Sequence, residues 1–245
     1  MFKIEYFGNS EIGRRPKNED SFIVFVNKHG FTIAVVADGM GGHKGGATCS
    51  KAVVRMCKRE LRNVNFGAMS DEEIKKKLLV TVRVFQKDLI KVSEEYPELS
   101  DMGSTLNMNI FVGKKMYTVN IGDSRTQSFV KKDIVKITED HNLATLAEKD
   151  ERYAHYKGQT NMLISSLGPN KNTKADLFVT DLESKKGYIL MTTDGVHNSI
   201  SEISWMKILK NSKPLHEKVN RVIKTAYENG SNDNMTFVLV EYKRD

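Results

Sequence analysis

Two hydrophobic periods alternate along the chain, and their order sketches the fold. Phe22 to Asn27 and Phe31 to Ala37 are β-branched and aromatic runs parted by Lys28-His29-Gly30, which predicts a hairpin. Glycines 41, 42, 45 and 46 then turn the chain into a helix whose inner stripe is Cys49, Val53, Met56, Cys57, Leu61 and Val64. A second helix begins at the capping box Ser70-x-x-Glu73, buries Ile74, Leu78, Val82, Phe85, Leu89 and Val92 on one face, and stops before Pro97. Strands are expected at Leu106–Val112, Met116–Ile121, Thr126–Val130 and Ile134–Ile137, joined by short turns as an antiparallel meander. Residues 142–161 are polar, lack β character and read as an inserted flap. Strands resume at Leu177–Thr180 and Tyr188–Thr192, helices follow at Glu202–Leu209 and Leu215–Asn229, and Thr236–Tyr242 forms the last strand. The pattern alone gives an α+β class.

No linker composition, repeat or low-complexity tract divides the 245 residues, so one domain, 1–245, is expected. Met1 to Phe7 carry Lys3 and Glu5 and lack the apolar core of a signal peptide, and no run approaches the ~18 apolar residues of a membrane span. Cys49 and Cys57 stand eight positions apart in one helix, about 12 Å of rise, too far for a disulfide. They read as buried thiols in a reducing compartment, with the cytoplasm as the expected location. The net charge is +7 and the isoelectric point about 9.2. The lysines are dispersed, and the densest run, Lys75-Lys76-Lys77, lies on the polar face of a predicted helix. Without a basic stripe carrying stacking aromatics, nucleic acid is not an expected partner, nor is a membrane.

What changes the picture is a series of carboxylates in glycine- or asparagine-rich settings, each where an apolar run stops. In order they lie in Gly13-Arg14-Arg15-Pro16-Lys17-Asn18-Glu19-Asp20, Asp38-Gly39-Met40-Gly41-Gly42-His43, Gly122-Asp123-Ser124-Arg125, Thr193-Asp194-Gly195 and Ser231-Asn232-Asp233-Asn234-Met235-Thr236. Hard cations such as Mg²⁺ and Mn²⁺ take carboxylate oxygens, and strand ends from distant parts of one core can bring several together. A single Asp-Gly pair is also a common turn. Five motifs in one order, from about Ile12 to Val240, resemble the metal-dependent serine/threonine protein phosphatases of type 2C, in the bacterial form.

That resemblance implies a four-layer αββα sandwich of two packed antiparallel sheets flanked by helices. It also implies hydrolysis of phosphoserine and phosphothreonine in proteins, with two Mn²⁺ or Mg²⁺ ions roughly 3.5–4 Å apart activating a shared hydroxide for in-line attack. Asp38 matches the ligand that bridges both ions, and Gly39 would offer its carbonyl, its missing side chain leaving room for a hydrated ion. Asp194 and Asp233 match further ligands, Glu19 a ligand acting through water, and Asp20 a residue that orients the water network. Arg15 is the expected phosphate clamp, the spacing from Gly13 favouring it over Arg14. Asp123 matches a ligand of a weaker third ion shared with Asp194; its plain alternative is a turn residue paired with Arg125. The expected partners are phosphorylated proteins, substrates of a serine/threonine kinase, and the expected state is a monomer.

The chain departs from the family pattern in places. Met40 stands where many members have a histidine proposed as general acid, so that role does not carry over, and His43 after the two glycines does not replace it. Asn198 stands four residues after Asp194, where some members have another acid for the third ion. Asp140-His141-Asn142 replaces Asp-His-Ser, the segment Asn161–Gly168 lacks the usual threonine, and the flap is short. Cys49 and Arg55 have Cys-x5-Arg spacing, but both cysteines fall in the stripe of a predicted helix and not in the loop of cysteine phosphatases, so a covalent cysteine mechanism is not expected. The other readings are a non-catalytic phosphatase-like binding module, which would have lost the aspartates, and a phosphatase of small phosphoesters.

Overall fold

Three separate apolar layers account for the architecture. In the computed structural model, which describes residues 2–41 and 45–244, two antiparallel sheets lie face to face and helices cover both outer faces. One sheet runs β2 (Asp20–Val26), β3 (Thr32–Met40), β5 (Leu106–Val112), β6 (Lys115–Ile121) and β9 (Asp176–Asp181), with the two-residue β4 (Gly103–Ser104) beside β3. The other runs β1 (Phe2–Glu11), β11 (Met235–Arg244), β10 (Lys186–Thr192), β7 (Arg125–Val130) and β8 (Asp133–Lys136). Helices α1 (Gly45–Leu61) and α2 (Asp71–Glu95) cover the first sheet. The second carries α4 (Asp194–His197), α5 (Glu202–Lys210) and α6 (Leu215–Glu228).

Strand periodicity explains the layering. In β3, Ile33, Val35 and Ala37 face the helices, while Ala34 and Val36 face the other sheet. In β11, Phe237 and Leu239 pack under Trp205 and Val222, and Val238 and Val240 fill the middle layer. A strand buried on both faces reads as a continuous apolar run, as these two do. The Ser70–Glu73 capping box forms as expected: Ser70 N donates to Glu73 Oε2 (2.8 Å) and Glu73 N to Ser70 Oγ (3.3 Å). The stripe Ile74, Leu78, Val82, Phe85 and Leu89 is buried against the first sheet, where truncating one such side chain to alanine costs about 2–5 kcal/mol.

The middle layer changes character along its length. At one end Phe111, Met116, Ile189 and Val240 make it apolar. Further along β5, Asn109 and Asn107, and then Thr105 just before the strand, replace them, all buried. Asn107 Nδ2 donates to Asn120 Oδ1 (2.9 Å), Thr126 Oγ1 to Asn107 Oδ1 (2.6 Å), and Thr118 Oγ1 to Asn109 Oδ1 (2.6 Å). A buried polar ladder of this kind is tolerable only when its members are bonded, and these amides are. It ends beneath the carboxylates.

The expected meander is not one sheet. β5 pairs with β6 and β7 with β8, but between them, at Gly122-Asp123-Ser124, the chain crosses from one sheet to the other. Gly122 permits the crossing with φ +95°, and a Cβ there would lie 2.5 Å from Thr105 Cγ2. β1, absent from the sequence reading, pairs with β11 along its whole length. Residues 142–161 hold helix α3 (Leu143–Lys149), capped by Asn142 Oδ1 accepting from Thr145 N (3.0 Å), and a 3₁₀ turn at Glu151–Tyr156.

Candidate active site

Antiparallel pairing brings the motif carboxylates to one end of the sandwich. Asp20 opens β2 and Asp38 lies near the end of β3, directly opposite in register. Asp194 begins α4 two residues after β10 ends, and Asp233 lies two residues before β11 begins. Asp123 sits on the crossing between β6 and β7. Glu19, Asp38, Gly39, Asp123, Asp194 and Asp233 line one open cleft, with Arg15 and Lys17 at its rim, and Asn161 at the end of the flap and Leu163 just after it on another side. Asp20 lies beneath it, 6 % exposed.

The backbone around each acid is tied down. Asp38 N donates to Thr105 Oγ1 (2.8 Å), and Thr105 N returns a bond to Asp38 O (2.8 Å). Asp20 Oδ2 accepts from Thr193 Oγ1 (2.8 Å) and Thr236 Oγ1 (2.7 Å), while its buried Oδ1 has no protein partner. Asn234 Nδ2 donates to Ile12 O (2.9 Å) and Lys17 O (2.8 Å), and its Oδ1 accepts from Glu19 N (2.8 Å). One amide therefore fastens the loop holding Arg15 and Glu19 to the start of β11. Close glycines complete the joint: a Cβ on Gly13 would lie 2.2 Å from Asp233 O, and one on Gly195 2.1 Å from Asn234 O.

The electrostatics are those of crowded acids. Burial, reinforced by Asp20, Asp194, Asp123 and Asp233, holds the Asp38 carboxyl well above the usual range. Burial pushes Asp20 up to about 7, against the two threonine hydrogen bonds, and Asp123 up to about 7, aided by Asp194 and Asp140. Asp194 is raised by burial and by Asp233. Asp38 still keeps part of its surface open to the cleft. Arg15 answers part of this field: its guanidinium bonds Asp233 Oδ2 (2.7 Å) and Asn232 O (3.1 Å).

Several expectations change. Gly39 has a packing role not foreseen in the sequence: a Cβ there would meet Gly46 O at 2.2 Å and Glu19 O at 2.6 Å, so the contact by itself requires a glycine. Asp123 does not pair with Arg125. The Arg125 guanidinium instead grips buried Asp140 (2.6–3.1 Å), which Lys136 also reaches (2.7 Å). Arg14 turns away from the cleft, its Cζ 5.1 Å from the Tyr227 ring centroid. Asn198 is exposed at the end of α4. His43 and Gly42 lie outside the described residues. Sequence reading passed over Thr105, Thr193, Thr236 and Asn234 as functional residues; only Asn234, next to Asp233 in a polar run, carried any local signal.

These acids suit divalent cations, with a qualification from their spacing. Among the described residues no three acidic, imidazole or thiol groups converge on one point closely enough to enclose an ion. The carboxylates share a field and a cleft. Mg²⁺-like ions match that arrangement, since they bind through one or two carboxylates and keep several waters. The partnerless Asp20 Oδ1 beneath the cleft fits the same hydrated chemistry.

The family model for protein phosphatase 2C matches residues 7–239. The chain belongs to the protein phosphatase 2C family. Its relatives include the serine/threonine phosphatase Stp of Listeria monocytogenes serotype 4b, 32 % identical over 231 residues, covering 93 % of this chain and 91 % of that protein. The protein phosphatase PhpP of Streptococcus pneumoniae is 26 % identical over 238 residues, covering 95 % and 94 %. The solved serine/threonine phosphatase of S. agalactiae superposes with a TM-score of 0.87 at 27 % identity, covering 99 % of this chain and 100 % of that one. The catalytic domain of the phosphatase PstP, solved with 2 manganese ions, shares the fold at 24 % identity and a TM-score of 0.84, covering 99 % of this chain and 100 % of that one. The αββα sandwich is thus that of protein phosphatase 2C, and the motif order that suggested it reflects membership.

Proposed function

We propose that this chain is a metal-dependent phosphatase of phosphoserine and phosphothreonine in proteins. The observation that carries the reading is the set of strand-end carboxylates, Asp38, Asp123, Asp194 and Asp233, lining one cleft with Arg15 at its rim. In a family of phosphatases, that set supports a metal centre for phosphate ester hydrolysis.

Two divalent ions, when bound, neutralise the acids and lower the pKa of water for attack on phosphorus. Asp38 would serve both ions, Asp194 and Asp233 one or the other, Gly39 through its carbonyl and Glu19 through water. Asp20, held through one oxygen by Thr193 and Thr236, would orient the water network with its other, partnerless oxygen. Arg15 takes two phosphate oxygens with a guanidinium already aimed at the cleft by Asp233 and Asn232. No side-chain nucleophile is required: Cys49 and Cys57 are buried in α1, and burial pushes the Cys49 thiol up to about 12. The family's histidine acid has no counterpart at Met40, so the leaving oxygen takes its proton from water. Asp123 and Asp194 would hold a weaker third ion without help from Asn198.

Mn²⁺ or Mg²⁺ is the proposed cofactor, and the PstP catalytic domain was solved with manganese. Among the described residues no helix is long and apolar enough to cross a membrane. Two free buried cysteines support action in a reducing compartment, the cytoplasm, and the reading extends to a monomer acting on targets of a serine/threonine kinase. The test is hydrolysis of p-nitrophenyl phosphate with Mn²⁺, Mg²⁺ or EDTA, followed by phosphoserine, phosphothreonine and phosphotyrosine peptides. Metal-dependent turnover with preference for the first two supports the reading; metal-independent turnover, or none, overturns it.

A further inference from the structure

Beside the cleft, across the wall formed by Ile12 to Arg15, lies a second groove that the chemistry above does not use. Its floor is Ile223 of α6 and Met235 of β11, both buried, and its sides are Ile12 and Tyr227. Ile12 is 42 % and Tyr227 46 % exposed, so the groove leaves apolar surface in water beside a polar site. The inner stripe of α6 (Val219, Val222, Ile223, Ala226) explains the position of Tyr227: it stands one residue beyond that stripe, at the helix edge.

The groove and the cleft share their wall. Asn234 Nδ2, which lines the cleft, bonds the carbonyl of Ile12, whose side chain lines the groove. Gly13 lines the groove while packing on Asp233 O. The two adjacent arginines divide between them. Arg15 bonds Asn232 O and Asp233, whereas Arg14 bonds Asn232 Oδ1 (3.3 Å) and lies over the Tyr227 ring. Because both guanidinium groups reach the same asparagine, the groove begins within about 10 Å of the phosphate clamp, roughly three residues of extended chain.

Resting on the phosphatase reading, we propose that this groove is a specificity subsite of the same enzyme. It would take an aliphatic side chain of the substrate polypeptide within about three residues of the phosphorylated serine or threonine. Its chemistry favours that occupant over a second anion. Arg14 is engaged by Tyr227 and Asn232, Lys224 at the rim lies 3.7 Å from Glu228, and Glu11 adds negative charge. Asn9 Nδ2, shared between Glu11 Oε1 (3.3 Å) and Asn220 Oδ1 (3.2 Å), leaves amide groups at the polar end suited to a peptide main chain.

The experiment uses the Mn²⁺-loaded protein, p-nitrophenyl phosphate, and phosphothreonine peptides in which one leucine, or one aspartate, is moved through the four positions on either side. The wild type should favour leucine over aspartate by about tenfold in kcat/KM at one position within three residues of the phosphothreonine. Tyr227→Ala and Ile12→Ser should each flatten that preference while turning over p-nitrophenyl phosphate within twofold of wild type, since the small ester does not reach the groove. A leucine preference unchanged in both variants, or absent from the wild type, overturns the subsite. Failure of the wild type to hydrolyse p-nitrophenyl phosphate would instead overturn the phosphatase reading, and this inference with it. Ile12→Ser, a change to an exposed side chain, carries the test should Tyr227→Ala prove unstable.

Discussion

Asn234→Asp isolates the role of a single amide. Asn234 is 5 % exposed, and its three partners allow one orientation only, because both Nδ2 partners are carbonyl oxygens and the Oδ1 partner is an N–H. The aspartate keeps the size and the bond from Glu19 N. Its second oxygen faces Ile12 O and Lys17 O, so two hydrogen bonds become repulsions and two carbonyls lose their donor. At about 1 kcal/mol for each lost bond, with a further penalty for carbonyls left without a partner, the cost is about 3 kcal/mol. The new charge also joins acids that already repel one another. For a domain of this size each kcal/mol moves the midpoint by about 2–4 °C, so Tm should fall by about 6–12 °C. Scanning calorimetry in EDTA and in Mn²⁺ measures it, and the fall should be larger in EDTA. Loosening the Arg15 loop should also raise the phosphate inhibition constant. A Tm within 2 °C of wild type, with unchanged phosphate inhibition, would refute the claim that this amide holds the loop to the last strand.

Asp38→Asn and Asp194→Asn should each abolish hydrolysis yet raise Tm in EDTA by relieving repulsion; activity above about a tenth of wild type in either would sink the metal-ligand assignment. Arg15→Ala should weaken phosphate binding by about 1.5–3 kcal/mol, read as KM and product inhibition, with ion binding retained; no change would remove the clamp from Arg15. Burial raises Asp20 and Asp123 to about 7, so the metal-free fold prefers them protonated; that stability is present at low pH and is lost as pH rises through about 7, on the order of 4 kcal/mol for Asp20. The gap in Tm between Mn²⁺ and EDTA should therefore widen from pH 5 to pH 8, and a constant gap would refute it. His197, which burial keeps neutral, acts in the opposite sense, losing stability as pH falls below its ordinary 6.5, and cancels in that comparison. Asp123→Ala should remove only the weakest phase of a calorimetric Mn²⁺ titration while lowering turnover; full activity at limiting and saturating Mn²⁺ would leave Asp123 without a catalytic part.

The legible parts of the sequence were those where one physical pattern acts alone. The α2 stripe and its Ser70–Glu73 cap, the apolar runs of β3 and β10, and the acids at strand ends could each be read locally. β1 was missed although Phe2, Lys3, Ile4 and Glu5 alternate, because an edge strand with one exposed face lacks a strong apolar signal. The crossing at Gly122 was hidden because hairpin turns and sheet changes use the same residues. Asn107, Asn109 and Asn120 look like solvent positions in a period-two pattern, yet they are buried between the sheets, satisfied by each other and by Thr126. The arginine partner of Asp140 and the partners of the Asp20 and Asn234 side chains lie 15 to 222 residues away, beyond any local pattern.

Pairing of the first strand of the chain with the last, Phe2 opposite Arg244 through Glu11 opposite Met235, has a consequence for biosynthesis. A ribosome delivers the Arg15 loop early, but Asp233 and the asparagine that fastens that loop emerge more than two hundred residues later. All strands of the first sheet, β9 included, and its two helices are synthesised before β10 and can begin to pack. Catalysis cannot begin until β11 has left the exit tunnel and zipped between β1 and β10, the slow, long-range closure that high contact order imposes. A nascent chain paused before that point therefore carries most of the core but an incomplete cleft, without Asp233 and the asparagine that fastens the Arg15 loop.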